Sequence, residues 1–315
     1  MDTWKPDELL PGYYACTLQL PTLVSDTGKP KIATLVRGAR VENPKFALLM
    51  VHGWNDYFYQ TEFAEAIVRL GGACYGIDLH NYGRSHQDGE YWGYTEDLSD
   101  YDADIVAAFR VIRGECGQVP LILYGHSTGG LTACLWANHH RGKLSALILN
   151  SPWIEWQGAT LVRQLGQPLV GTLAKMSPTT VIPNTGNGFY QRTIEQWNQD
   201  TRYRHPDSFP IRAGWLNAIF SGQAEVAGGL DIDCPILAIT SKRSFSADEW
   251  DEQMRRTDIV LDVEQIWKRI PGLGNITTLV KLDDAVHDVM LSQEPVRQEA
   301  YRYVARFLSA ILPAD

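Results

Sequence analysis

Six short runs that are almost wholly apolar punctuate the chain: FALLMV (46–51), ACYGI (73–77), LILYG (121–125), LSALILN (144–150), PILAIT (235–240) and ITTLVKL (276–282). Such runs suit strands covered on both faces, as in a parallel sheet. Two earlier stretches, YACTLQL (14–20) and KIATLV (31–36), alternate more and predict a leading hairpin-like pair. Between the later runs the apolar period becomes helical. Ile105, Phe109 and Ile112 recur at helical spacing after Ser99, which is placed to cap that helix. Near the end, Val296, Ala300, Val304, Phe307 and Ile311 form one stripe that Pro295 opens. Eight strands alternating with helices predict a doubly wound, mostly parallel α/β sheet.

One interval breaks the alternation. From Pro152 to about Gly229 there is no good buried strand, and the stretch carries Trp153, Trp156, Trp197 and Trp215. Segments of this length usually carry structure or function of their own. It is expected to be a helical cap, residues 152–229, inserted into a core domain made of 1–151 and 230–315. Its tryptophans are expected to wall an apolar pocket. Gly186, Gly188 and the Gly-rich SGQAEVAGG (221–229) are expected to give it mobility. The bland alternative is a second packed helical layer with no role at a site.

Composition narrows the class. The 315 residues are 44% hydrophobic and 21% charged, which fits a water-soluble globular domain of this size. Net charge is −9 with no clustered Lys/Arg face, so nucleic acid and anionic membranes are poor partners. No run is long and apolar enough to span a bilayer, and MDTWKPDELLPGYY has no signal-like apolar region. The five scattered cysteines form neither a metal-spacing pair nor a disulfide framework, so a reducing cytoplasm is expected.

The candidate chemistry begins where LILY ends. Gly125-His126-Ser127-Thr128-Gly129 lies between that strand and the helix pattern TGGLTACLWANHH. Strand, Gly-x-Ser-x-Gly and helix in succession make a sharp turn that exposes a serine hydroxyl. A serine at its free pKa is a weak nucleophile and needs a base and an orienting carboxylate. Of the eight histidines, only His287 follows the last strand, where the base of such a sheet belongs. His126 is expected to point away from the Ser127 side chain. For the acid, the segment after PILAIT offers Asp248, Asp251, Asp258 and Asp262. Asp262 with Gln265 reads as a capping pair for the helix VEQIWKRI. Asp258, in the turn before it, is favoured, with Asp262 and Asp248 as alternatives. Oxyanion donors are expected at the N–H of Thr128 and of Trp54 in the loop His52-Gly53-Trp54-Asn55-Asp56.

With these pieces assembled, the chain resembles the α/β-hydrolase superfamily over nearly its whole length. It is most similar to the monoacylglycerol lipase/lysophospholipase-like group, which overlaps the serine aminopeptidases. VHGWNDYFYQ looks like the group's oxyanion loop, and GHSTGG like its nucleophile elbow with Thr128 where Met is frequent. YGIDLHNYGRS (75–85) keeps Tyr82-Gly83-Arg84-Ser85 but has Asn81 for the usual Gly. TDIVLDVEQI resembles the acid turn and implies Asp258. The departure is upstream, where a longer SKRSFSADEWDEQMRR replaces the usual Gly-containing turn. The resemblance implies acyl transfer through Ser127, His287 and Asp258, with no metal and no organic cofactor. The expected substrate is a small ester with an apolar acyl group. An aminopeptidase-like amide hydrolase would need carboxylates for a free amino terminus, with Glu155 and Glu195 as candidates. A non-catalytic small-molecule-binding protein on this fold would need no Ser/Asp/His set. Oligomeric state is not encoded in any of these patterns.

Overall fold

The computed structural model describes residues 3–25, 28–156, 160–183, 188–197 and 199–312. In chain order the elements are β1 (Lys5–Pro6), β2 (Tyr14–Val24), β3 (Pro30–Arg37), β4 (Phe46–Val51), α1 (Thr61–Arg69), β5 (Gly72–Asp78), α2 (Tyr101–Cys116), β6 (Leu121–His126), α3 (Thr128–His139), β7 (Ala146–Asn150), α4 (Thr160–Met176), α5 (Phe189–Thr193), α6 (Ala213–Ala227), β8 (Ile236–Ser241), α7 (Val263–Arg269), β9 (Thr277–Leu282) and α8 (Glu294–Ile311). Short 3₁₀ turns punctuate the loops.

All eight expected strands are present. The two-residue β1 adds a ninth at the edge, giving the order β1-β2-β3-β5-β4-β6-β7-β8-β9. The leading pair β2 and β3 is antiparallel, and β3 joins β5 antiparallel. From β5 through β4 to β9 every pairing is parallel. The protein has the α/β-hydrolase fold.

Alternation along each strand feeds two cores. In β4, Ala47, Leu49 and Val51 enter one core, and Phe46, Leu48 and Met50 enter the other. Helices α2, α3 and α6 cover the first face, and α1 and α8 the second. The chain leaves β4 to one neighbour, β5, and returns on the other side at β6. That reversal opens a crevice at the strands' carboxyl ends, where α/β sheets of this kind hold their ligands.

Three local expectations are corrected. Ser99 does not cap α2; it sits in a 3₁₀ turn whose N-terminus Asp97 caps by accepting from Ser99 N–H. SGQAEVAGG is not a flexible return, because α6 runs through it to Ala227. A Cβ on Gly222 would lie 2.9 Å from Leu135 and 3.0 Å from Leu98, so that glycine serves close packing. Third, α6 lies in the main core through Trp215, Ile219 and Val226. It is the crossover helix that parallel strands β7 and β8 require. Within the interval 152–229, residues 213–227 thus pack in the main core. Gly186 lies outside the described residues.

Candidate active site

Ser127 ends β6 and precedes α3, with φ 53° and ψ −117°. This backbone conformation is costly for a residue with a Cβ and persists only where the surroundings enforce it. They do so here. A Cβ on Gly125 would collide with the carbonyl of Gly129, and one on Gly129 with that of His52. Only glycine fits on either side of the serine. Ser127 N–H donates to Asn150 O at 3.1 Å, and Ser127 O accepts from Trp153 N–H at 2.9 Å.

His287 lies in the loop after β9 and is 2% exposed. Its Nδ1 is 2.8 Å from Asp258 Oδ2. Asp258 is fully buried, and its Oδ1 accepts from Val260 and Leu261 N–H, each at 2.8 Å. Those two bonds aim the second oxygen at the imidazole. Asp262 instead caps α7, accepting from Glu264 N–H at 3.0 Å and from Gln265 Nε2 at 3.2 Å. Asp258, not Asp262, is thus the carboxylate brought to His287. Nε2 of His287 is buried and has no hydrogen-bond partner among the described residues.

Ser127 and His287 line one cavity of about 560 Å³, together with Gly53, Trp54 and His126. Gly53 packs on the serine: a Cβ there would lie 3.1 Å from Ser127 Cβ. Among the described residues, no bond is formed by the N–H of Trp54 or of Thr128 to another protein group. A second buried Asp–His pair has the same bond length, His80 Nδ1 to Asp104 Oδ2 at 2.8 Å. Neither of its members lines the cavity of Ser127. Geometry of the pair alone therefore does not mark the site; the shared cavity does.

Several expectations about the surroundings fail. Trp153, Trp156, Trp197 and Trp215 do not line the cavity. Trp215 is buried against Trp54 at 3.8 Å between ring centroids, Trp156 packs on Phe220, and Trp197 donates to Leu291 O. Large rings with an apolar body fill core space first. His126 does not turn away: its ring lies 4.9 Å from that of His287 and lines the cavity. Burial pushes its pKa down to about 4. Glu155 pairs with Arg269 and Glu195 with Arg255, so neither carboxylate faces the cavity.

What does line it is a polar segment, 204–208, bound to the loop after β4. Trp54 Nε1 donates to Ser208 Oγ at 3.1 Å. Asn55, at φ 54°, exchanges two hydrogen bonds with His205 backbone. Asp56 pairs with Arg204 at 2.6 Å, both side chains being almost fully buried. Burial raises the Asp56 carboxyl to about 7 against the pull of Arg204. Sequence reasoning missed Asp56 and Arg204. Their only signal was a charge beside the His-Gly turn. Asp56, His126 and Asp288 are close enough to hold a metal ion, with ligand atoms within 4.8 Å of one another. Their known partners are protein groups: Arg204 for Asp56, Asn150 for His126, and Asn150, Gln60 and Met290 for Asp288.

A family model described as serine aminopeptidase, S33, matches residues 42–248, which include the β4 loop, the elbow and the start of the acid segment. The chain belongs to that family. It is 30% identical over 131 residues to a monoglyceride lipase homolog of Monkeypox virus, covering 41% of this chain and 46% of the viral one. It is 21% identical over 202 residues to a monoacylglycerol lipase of Mycolicibacterium smegmatis, covering 62% of this chain and 69% of that one. The chain thus spans less than half the length of the viral relative. A soluble variant of monoglyceride lipase from Saccharomyces cerevisiae, in complex with a substrate analog, superposes with a TM-score of 0.66 at 15% identity, over 100% of this chain and 96% of the other. At that identity the likeness speaks for the fold.

Proposed function

We propose that the protein is a serine hydrolase that cleaves carboxylic esters through an acyl-enzyme intermediate. One observation carries this reading. A serine held at positive φ shares a cavity with a histidine whose Nδ1 is fixed by Asp258 and whose Nε2 has no partner among the described residues. Ser127 Oγ attacks the ester carbonyl while His287 Nε2 takes its proton. The tetrahedral oxyanion is stabilised by the N–H groups of Trp54 and Thr128. The C–O bond to the alcohol then breaks, and His287 returns the proton to the leaving oxygen. Water, activated by His287, releases the acid by the same steps. Asp258 holds the tautomer and stabilises the imidazolium.

The cavity wall supports a substrate with an apolar acyl group and a polar alcohol. Trp54, Tyr190, Ile259 and Val260 offer apolar surface, and His205, Asp207 and Ser208 offer polar side chains. A monoacylglycerol- or lysophospholipid-like ester fits both. The lipase names of the relatives agree with it. The amide reading is weakened because Glu155 and Glu195 are paired elsewhere. The cap in this reading is limited to 152–212, with α6 in the core domain. No helix among the described residues is long and apolar enough to cross a membrane. None of the five cysteines, all among the described residues, is in a disulfide, which favours the reducing cytoplasm.

The test is labelling by a fluorophosphonate, with mass spectrometry of the modified peptide, beside a panel of p-nitrophenyl esters and aminoacyl anilides. Ser127 is expected to carry the label, and Ser127→Ala is expected to lose several orders of magnitude in kcat while staying folded. Retention of more than about a tenth of kcat removes Ser127 from the mechanism. Faster turnover of anilides than of esters overturns the substrate class.

A further inference from the structure

Asn150 closes β7 and is fully buried. Every hydrogen-bonding group on its side chain is used, and its carbonyl is used twice. The carbonyl accepts from Ser127 N–H at 3.1 Å and faces His126 Nδ1 at 3.1 Å. Side-chain Nδ2 donates to Asp288 Oδ1 at 2.6 Å and to Tyr124 Oη at 2.7 Å. Oδ1 accepts from Val289 N–H at 3.1 Å. One residue thus holds the elbow through its backbone and the loop that carries His287 through its side chain.

Asp258 fixes where the His287 ring points, through Nδ1. It does not fix the backbone on which the ring stands. The next two residues, Asp288 and Val289, are the ones tied to Asn150. Asp288 is 1% exposed and also accepts from Gln60 Nε2 at 3.3 Å and Met290 N–H at 3.1 Å. A buried carboxylate so bound is a rigid anchor. We infer that Asn150, through Asp288, is a positioning residue that sets the register of His287 against Ser127. This inference rests on the proposed roles of Ser127 and His287. Asn150 touches neither the hydroxyl nor the imidazole of that pair. It acts through the two backbone segments that carry them, where small displacements are expensive in rate.

The experiment is a swap. Asn150→Asp sets an acceptor against the Asp288 carboxylate and breaks the tie. The double variant N150D/D288N restores a donor facing an acceptor with the roles exchanged. N150D is expected to lower kcat and the rate of fluorophosphonate labelling about 100-fold, with KM within about twofold of wild type. N150D/D288N is expected to regain most of that loss. A purely structural role would lower the melting temperature and the active fraction without separating kcat from KM and without rescue by the swap. If N150D does not fold, Asp288→Ala cuts the same tie from the other side and is read in the same way. Folded N150D with kcat within about threefold of wild type, or a folded swap no faster than N150D, overturns the inference. Ser127→Ala is run alongside. If it stays active, the proposed function fails. If it is dead while N150D is fully active, only the role of Asn150 fails.

Discussion

At the scale of single residues, two carboxylates four positions apart have separate duties. Asp258 orients an imidazole and Asp262 caps a helix. Asp258→Asn presents an amide where the histidine needs an acceptor, and a loss of about 10⁴ in kcat is expected. Asp262→Asn keeps a good N-cap residue, so its kcat should match wild type and its stability change by under about 1 kcal/mol. Steady-state kinetics and melting curves on both variants check this. His126 gives a pH signature of its own. Burial holds its folded-state pKa at about 4, below the usual 6.5. In the window between those values the unfolded chain binds the proton first. The His126 contribution to stability is therefore full above 6.5 and is lost as pH falls toward 4, by about 3 kcal/mol. Asp56, raised to about 7, shifts stability the opposite way over this window, so the His126 part is read by difference: between pH 7 and pH 4.5, urea titrations should show His126→Asn losing less stability, or gaining more, than wild type. The proposed nucleophile and base were legible because each follows an apolar run at a defined strand end; the proposed acid was only narrowed to a segment with several aspartates, because Asp258 lies well beyond the end of β8. Asn150, Asp56 and Arg204 were not. Their partners are about 140–150 positions away, and no local pattern announces such a pairing.

At the scale of elements, the pattern located all eight longer strands: β4 to β8 as runs covered on both faces, with no polar position to blur their edges, and β2 and β3 by alternation, while β9, expected to be covered on both faces, is exposed on one. It failed where glycines and tryptophans carry two meanings. Gly222 packs α6 against Leu98 and Leu135, so Gly222→Val should cost about 1–3 kcal/mol by overpacking. An unchanged urea midpoint would return that segment to a flexible role. The tryptophans of 152–229 serve the core, and the apolar part of the cavity rests on Trp54, Tyr190, Ile259 and Val260. Along p-nitrophenyl esters from acetate to octanoate, kcat/KM should rise about fourfold per methylene while the chain remains in this cavity, then level off. A flat or falling series excludes an acyl site here.

At the scale of the whole molecule, the segment YGIDLHNYGRS turns out to be a brace. Arg84 joins Asp78 at 2.8 Å and Asp7 at 2.7 Å, all three nearly buried, while Asp78 Oδ1 accepts from Phe58 N–H at 2.7 Å. The N-terminal segment, β5 and the chain beyond the β4 loop meet at one guanidinium. Arg84→Met leaves two buried carboxylates uncompensated and should cost about 3–5 kcal/mol. Thermal unfolding at neutral pH measures it, and a melting point equal to wild type would remove the brace. The Asp56–Arg204 pair has a different bearing, on how often the cavity wall stands open. Swinging 204–208 away from the β4 loop means breaking the Asp56–Arg204 contact together with the Asn55–His205 and Trp54–Ser208 hydrogen bonds. On the proposed reading, this wall is a fixed part of the site, and capture of ester depends on fit to the cavity as it stands rather than on its opening.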